Sequence, residues 1–456
     1  MLINKMKVCL ILLGMFTLVT SVAQYFFSDY SITLELLVLS LTTIISIYFI
    51  SQLLAFNINT FLFYFMYTLF VVLYVLKAFA MSIIGFDVAY YVTTLNIVVQ
   101  EDSIATGVFQ LIAVNFSFVL CAIAINYFTN NRNVVERKPI TKKFSTWLSV
   151  WIFLYILFSS IIMKNLGVAV MGGEAVSLPY GLSGVLFYSR TIAIPLIILC
   201  FISNAISSGD KKLFNSSIFI FLFLALTEIY VRTTKGPLFV FVLQFVCVYL
   251  MVETRKISLN KTLIVLLFLL SMAMWPLIEV YRLSTLGLSF SSVGSGNFID
   301  LFSHTFLRLF DRLLGFTQFI GVIELSEYSQ FNIDGIINAG SVTNYYTRHI
   351  LNIENMGHAS SPSLLGALYL FIPESFLFLG VICILFCYQF LWGLTSLYPH
   401  FSYALRGILV FEVMNTMMSG AFDSSLYRIF ITLVCSCFLE YIFYLFNKER
   451  SKFKPV

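Results

Sequence analysis

The sequence holds seven cations of a kind that could bind a phosphate-bearing molecule: Arg232, Lys235, Arg282, Arg308, Arg312, Arg348 and Arg428. Arginine grips phosphate through a planar fork and lysine as a point charge. Around a diphosphate, such groups would also offset the charge that grows on a leaving phosphate during group transfer. Two further side chains could take a proton from an attacking hydroxyl. They are His358, in a turn punctuated by Gly, Ser and Pro, and Asp423, just before an apolar run. The ordinary imidazole pKa suits a base at neutral pH, which places His358 first. Each choice has a plainer alternative. Arg232 and Lys235 could snorkel to lipid headgroups. Arg282 could pair with Glu279 and Arg308 with Asp311, each three residues away. Asp423 could be an ordinary helix N-cap.

Other chemistries find little support. No DxD-like pair occurs among the candidate acids and no His/Asp ligand spacing is visible, so a metal-independent, cofactor-free reaction is expected. The chain has no P-loop, GxSxG or HExxH. Four acids, Glu228, Glu374, Glu412 and Glu440, fall inside apolar runs, where an ionisable group is a functional candidate by default. They do not form the ladder that a proton relay needs.

The elements that must position these groups follow from composition. Of 456 residues, 60% are hydrophobic and only 11% charged. That is too few charges to coat a soluble fold of this size. A soluble enzyme, a disordered chain and a secreted disulfide scaffold are excluded. An all-α polytopic membrane protein forming one transmembrane domain over 1–456 remains. The eight cysteines lie in apolar runs and read as small buried hydrophobes. Twelve runs are long enough to span: 8–27, 32–54, 60–80, 105–128, 146–166, 184–204, 213–231, 236–252, 262–280, 367–393, 402–420 and 426–447. The first resembles a signal peptide ending near Ser21-Val22-Ala23, but its length favours an uncleaved helix. Most Lys and Arg residues collect in the two tails and three short loops, which places both termini in the cytoplasm. The seven candidate cations, with Lys77, Lys164 and Arg190, then fall at or near the outer face. Net charge is +5 with no basic block of nucleic-acid type, so no nucleic-acid partner is expected.

One outer segment, 281–366, is far longer than the others and reads as a functional loop. Within it, 301–314 places His304, Arg308, Asp311 and Arg312 on one helical face, opposite Leu and Phe. This is the pattern of an amphipathic helix lying in the membrane interface. Gly236-Pro237 marks a bend, with Pro237 in the first turn of the next helix.

The order of these features resembles the oligosaccharide repeat-unit polymerases (Wzy-type), which include the O-antigen and enterobacterial common antigen polymerases. The resemblance covers roughly 180–445. It rests on Leu182-Ser183-Gly184-Val185-Leu186-Phe187-Tyr188-Ser189-Arg190 leading to Pro195, on the turn Thr234-Lys235-Gly236, and on Arg282 opening the long loop. It rests also on Gly357-His358 followed by Ser361-Pro362-Ser363-Leu364-Leu365-Gly366, and on Asp423 with Arg428. Ala367 stands where many members carry an acid. The resemblance implies a GT-C-like fold in the bacterial inner membrane with a periplasmic active site. It implies transfer of a growing glycan from one undecaprenyl diphosphate carrier onto a second lipid-linked repeat unit. Donor and acceptor would both be undecaprenyl-diphosphate-linked oligosaccharides, with membrane lipids and a chain-length regulator as further partners. Arg232, Lys235, Arg282 and Arg312 would hold the diphosphate, Arg308, Arg348 and Arg428 would assist, and His358 or Asp423 would be the base. Two other readings remain open. An O-antigen ligase would use the same donor and another lipid acceptor. A flippase or exporter should show pseudo-symmetric halves, and no internal repeat is seen.

Overall fold

The computed structural model describes residues 33–84, 99–129, 142–168, 178–232, 236–252, 255–259, 315–325, 333–351 and 361–451, with isolated positions at 15, 19, 88–89, 96–97, 262, 265–266, 269, 271 and 277–278. In chain order the helices begin with α1 (Thr33–Leu53), α2 (Phe61–Phe70) and α3 (Leu76–Ile84). A two-residue antiparallel bridge follows, β1 (Val88–Ala89) with β2 (Asn96–Ile97). Then come α4 (Glu101–Thr129), α5 (Lys142–Leu166), α6 (Leu182–Tyr188), α7 (Ile194–Ser208), α8 (Lys211–Arg232) and α9 (Pro237–Met251). The rest are α10 (Gly315–Leu325), α11 (Ile333–Ala339), α12 (Val342–Tyr345), α13 (Ser363–Phe371), α14 (Leu377–Leu394), α15 (Ser402–Ser419) and α16 (Phe422–Ser451).

Among the described residues, eight helices are long and apolar enough to cross a membrane, so the chain is a multi-pass, all-α membrane protein. They match eight of the twelve expected runs. The runs 8–27 and 262–280 lie largely outside the described residues. The run 236–252 forms α9, which is apolar but only 15 residues long. The run 402–420 forms α15, which is not among the eight. The expected span 367–393 is broken. Ile372 is extended (φ −128°, ψ 135°) before Pro373, and α13 and α14 lie on either side. Proline disfavours helical backbone in the residue before it, which is the physical reason.

The chain divides into two units. The first comprises 1–133, 308–393 and 412–427. Here α1 packs along α4, tied by buried polar groups. Asn115 donates to Thr43 Oγ1 at 3.1 Å and accepts from the Tyr67 hydroxyl at 3.2 Å. Phe118 packs against Phe63, Tyr67 and Phe70. The helix α10, inside the segment expected to be a loop, is buried along most of its length. Glycines let it approach closely. A Cβ on Gly107 would meet Ile320 at 2.9 Å, and one on Gly366 would meet Val322 at 3.0 Å. The described part of 281–366 therefore includes a packed apolar helix, while the amphipathic stretch 301–314 lies outside the described residues.

The second unit comprises 134–307, 394–411 and 428–456. It contains α5 to α9 with parts of α15 and α16. One face of α5 is a buried stripe of Ser145, Ser149, Ile152, Ile156, Ser159, Ser160 and Met163. The opposite face exposes Trp147, Trp151, Phe158 and Ile162, as a lipid-facing surface should. Pro237 is the first residue of α9, as its missing N–H favours. Gly407 lets α15 meet α9, since a Cβ there would lie 2.8 Å from Val248.

Candidate functional site

The best-defined polar cluster is in the second unit, where α5, α6, α7 and α8 meet. Between α6 and α7 the helix opens into a wide turn, Ser189–Ala193, in which the Ile194 amide bonds the Ser189 carbonyl five residues back. Pro195 has no N–H and its ring crowds the carbonyl four residues before it, so the preceding turn must relax. Such single wide turns are frequent at functional sites. The turn carries Arg190, which is fully buried at 0% exposure.

All three nitrogens of the Arg190 guanidinium donate hydrogen bonds. Nε donates to Glu228 Oε1 at 2.6 Å. Nη1 donates to the Ile156 carbonyl (2.9 Å), Ser159 Oγ (2.7 Å) and Ser160 Oγ (2.8 Å), and Nη2 to Thr227 Oγ1 (2.9 Å). The three hydroxyls have already committed their hydrogens to their own helices. Ser159 donates to Tyr155 O, Ser160 to Ile156 O and Thr227 to Leu224 O. Their remaining lone pairs can only accept. This settles each donor and acceptor around Arg190 without ambiguity.

Glu228, 2% exposed, bridges two arginines. Its second oxygen, Oε2, accepts from Arg232 Nη1 at 3.2 Å. Arg232 ends α8 and keeps 18% of its side chain open, with its guanidinium 4.6 Å from the centre of the Phe187 ring. Such stacking suits a planar cation. Lys164, in the last turn of α5, lies 4.9 Å from the Tyr230 ring centre and donates to the Tyr230 carbonyl at 3.4 Å. Among the described residues, this end of the unit therefore carries Arg190, Arg232 and Lys164, with the acid Glu228 held between the two arginines. Of these four, Arg232 is a sequence candidate for the diphosphate site and Glu228 one of the acids singled out within apolar runs. Arg190, expected at or near the outer face, is fully buried among these partners. Its buried role had one sequence signal: an arginine in an apolar run just before a proline, with an acid in the next span.

In the first unit, the small polar segments at 361–366 and 420–425 come together. Tyr74 sits on another wide turn, Val71–Val75. Its hydroxyl accepts from the Leu364 amide at 3.0 Å and donates to the Met417 carbonyl at 3.0 Å. Ser363 begins α13 with φ +66°, and Gly420 (φ +71°) lies against it. A Cβ on Gly420 would lie 2.2 Å from the Ser363 carbonyl oxygen. Asp423 Oδ2 accepts from the Val342 amide at 3.2 Å, and Oδ1 from the Ser424 amide at 2.8 Å. Asp423 lies in the first turn of α16 rather than at its N-cap, and it accepts amides at the starts of α12 and α16. Arg348 lies half-buried on a third wide turn, Tyr346–Ile350.

Arg428 lies in the second unit, with its guanidinium 5.9 Å from the Phe411 ring. Among the acids that fall in apolar runs, Glu374 accepts from Gln110 at 3.1 Å, and Glu440 lies 2.5 Å from the His400 ring while accepting the His400 amide at 3.2 Å. The candidates His358, Lys235, Arg282, Arg308 and Arg312 lie outside the described residues. No group of three or more potential metal ligands occurs among the described residues. No family model, no curated protein and no solved structure matches the chain.

Proposed function

We propose that the chain is a membrane glycosyltransferase that polymerises undecaprenyl-diphosphate-linked oligosaccharide repeat units into a surface polysaccharide. In this reading it has twelve spans and a GT-C-like fold, with both termini cytoplasmic and the reaction at the periplasmic face. The carrying observation is the excess positive charge at one end of the second unit. Arg232 is partly open there, and Glu228, the acid that holds it among the described residues, is also held by Arg190. Glu228 is thus shared between two guanidinium groups, and its single negative charge is divided between them. The basic pairs Lys211-Lys212 and Arg255-Lys256 lie at the opposite end, near the close of α7 and α9, which fits a cytoplasmic side under the positive-inside bias.

The reaction balances without a cofactor. An acceptor sugar hydroxyl attacks the anomeric carbon of the donor glycan, and a new C–O bond forms. The bond from that carbon to the diphosphate breaks, and undecaprenyl diphosphate leaves with its charge met by Arg232 and its companion cations. The hydroxyl proton passes to a base, for which His358 ranks first, because both oxygens of Asp423 already accept backbone amides.

The test is to add purified protein to lipid-diphosphate-linked repeat units without added metal. A ladder of longer glycans supports polymerisation. Transfer to a different lipid alone would instead identify a ligase. Movement of the lipid across the bilayer with no covalent change would identify a flippase.

A further inference from the structure

We infer that Arg190 and Glu228 are positioning residues that hold the Arg232 guanidinium ready for the diphosphate of a lipid-linked ligand. This rests on the function proposed above and extends it to two residues that touch no ligand themselves.

Replacing a buried ion pair by apolar side chains of similar volume is often neutral or stabilising. Two charges inside an apolar bundle therefore need a reason besides stability. The geometry points to one. Ser159, Ser160 and Thr227 can only accept from Arg190, so they fix its plane. Arg190 then fixes the Glu228 carboxylate through Oε1, leaving Oε2 aimed at Arg232. Phe187, three residues before Arg190, supports the face of the same Arg232 guanidinium. Arg232 is thus held at one edge by a carboxylate and on one face by a ring, both set by the segment around the wide turn. A long flexible side chain held in this way loses less freedom when it binds.

The experiment separates positioning from charge. Arg190→Met with Glu228→Met removes one positive and one negative charge, so the net charge near Arg232 is unchanged. The variants are placed in lipid nanodiscs and titrated with inorganic pyrophosphate, and KM and kcat are measured with the lipid-linked repeat unit. Arg232→Ala is expected to weaken pyrophosphate binding about tenfold, the loss of one charge-assisted contact. The double Met variant is expected to weaken it to a similar degree, with KM raised, kcat within about twofold and no fall in melting temperature. If the double variant does not fold, Ser159→Ala with Ser160→Ala loosens Arg190 without touching a charge, and a weakening of about threefold is expected.

Wild-type binding in the folded positioning variants, alongside weakened binding in Arg232→Ala, overturns the inference and leaves the Arg232 site standing. Unchanged binding in Arg232→Ala, or no saturable pyrophosphate binding by the wild type, overturns both. Because the titration needs no turnover, a failure of glycan transfer alone is seen separately.

Discussion

Arg190 carries a full charge yet has no open surface, and the cost of disturbing it differs sharply between one substitution and two. Arg190→Met alone leaves the Glu228 carboxylate buried with Arg232 on one side only. Breaking a buried pair in this way costs about 3–5 kcal/mol. The single variant should lose folded protein in detergent, read as a lower melting temperature, while the double Met variant recovers it. A single variant as stable as wild type would mean that water or another group compensates Glu228. Asp423 poses the opposite question, because its two oxygens cap backbone amides. Asp423→Asn turns one oxygen into a donor facing an amide donor. The expected loss is about 1 kcal/mol of stability with glycan transfer retained. Full stability with transfer abolished would return Asp423 to the role of base. At this scale the sequence singles out Arg232, which lies partly open at the end of α8, and offers two readings of Asp423, but it does not show that Arg190 is buried. A hydropathy profile places a cation near a helix end at the surface. It cannot show that a proline five residues later opens the turn and draws that cation inward.

Helices in this chain meet where glycine removes a side chain, and two glycines with similar backbone separate conformation from space. Gly420 and Gly340 both have positive φ, +71° and +77°. Around Gly340 a Cβ meets nothing within 4 Å, whereas at Gly420 it would strike the Ser363 carbonyl at 2.2 Å. Gly340→Ala should therefore cost only the conformational term, about 1 kcal/mol. Gly420→Ala must also push α13 from its place, and should cost clearly more, measured as the difference in melting temperature between the two variants. Equal losses would mean that the chain around Ser363 yields easily. Proline shows what was legible at this scale. Pro237 was read as a helix start and is one. Pro373 lay inside a run counted as one span, although its effect on Ile372 was available from residue identity alone. The buried helix α10 was not legible, because a mostly apolar stretch of 11 residues is too short for a span and α10 is buried by packing on Gly107 and Gly366.

For the whole molecule, composition was decisive about the solvent and silent about the substrate. Sixty per cent apolar residues with few charges require lipid around the chain, and eight helices meet that requirement. Sidedness rests on a finer asymmetry. In the second unit, Lys211 and Lys212 open α8, while Lys164 and Arg232 close α5 and α8 at the other end. Leu178, just before Tyr180, packs at that other end beside Met163 and Val231. Tyr180 is almost fully exposed at 99%. These positions give a direct test in intact cells, using a variant with its cysteines replaced. Tyr180→Cys should react with a membrane-impermeant maleimide added outside. Lys212→Cys should react only after the membrane is opened. The reverse pattern would put Arg232 in the cytoplasm, where an acceptor glycan already carried across the membrane could not reach it.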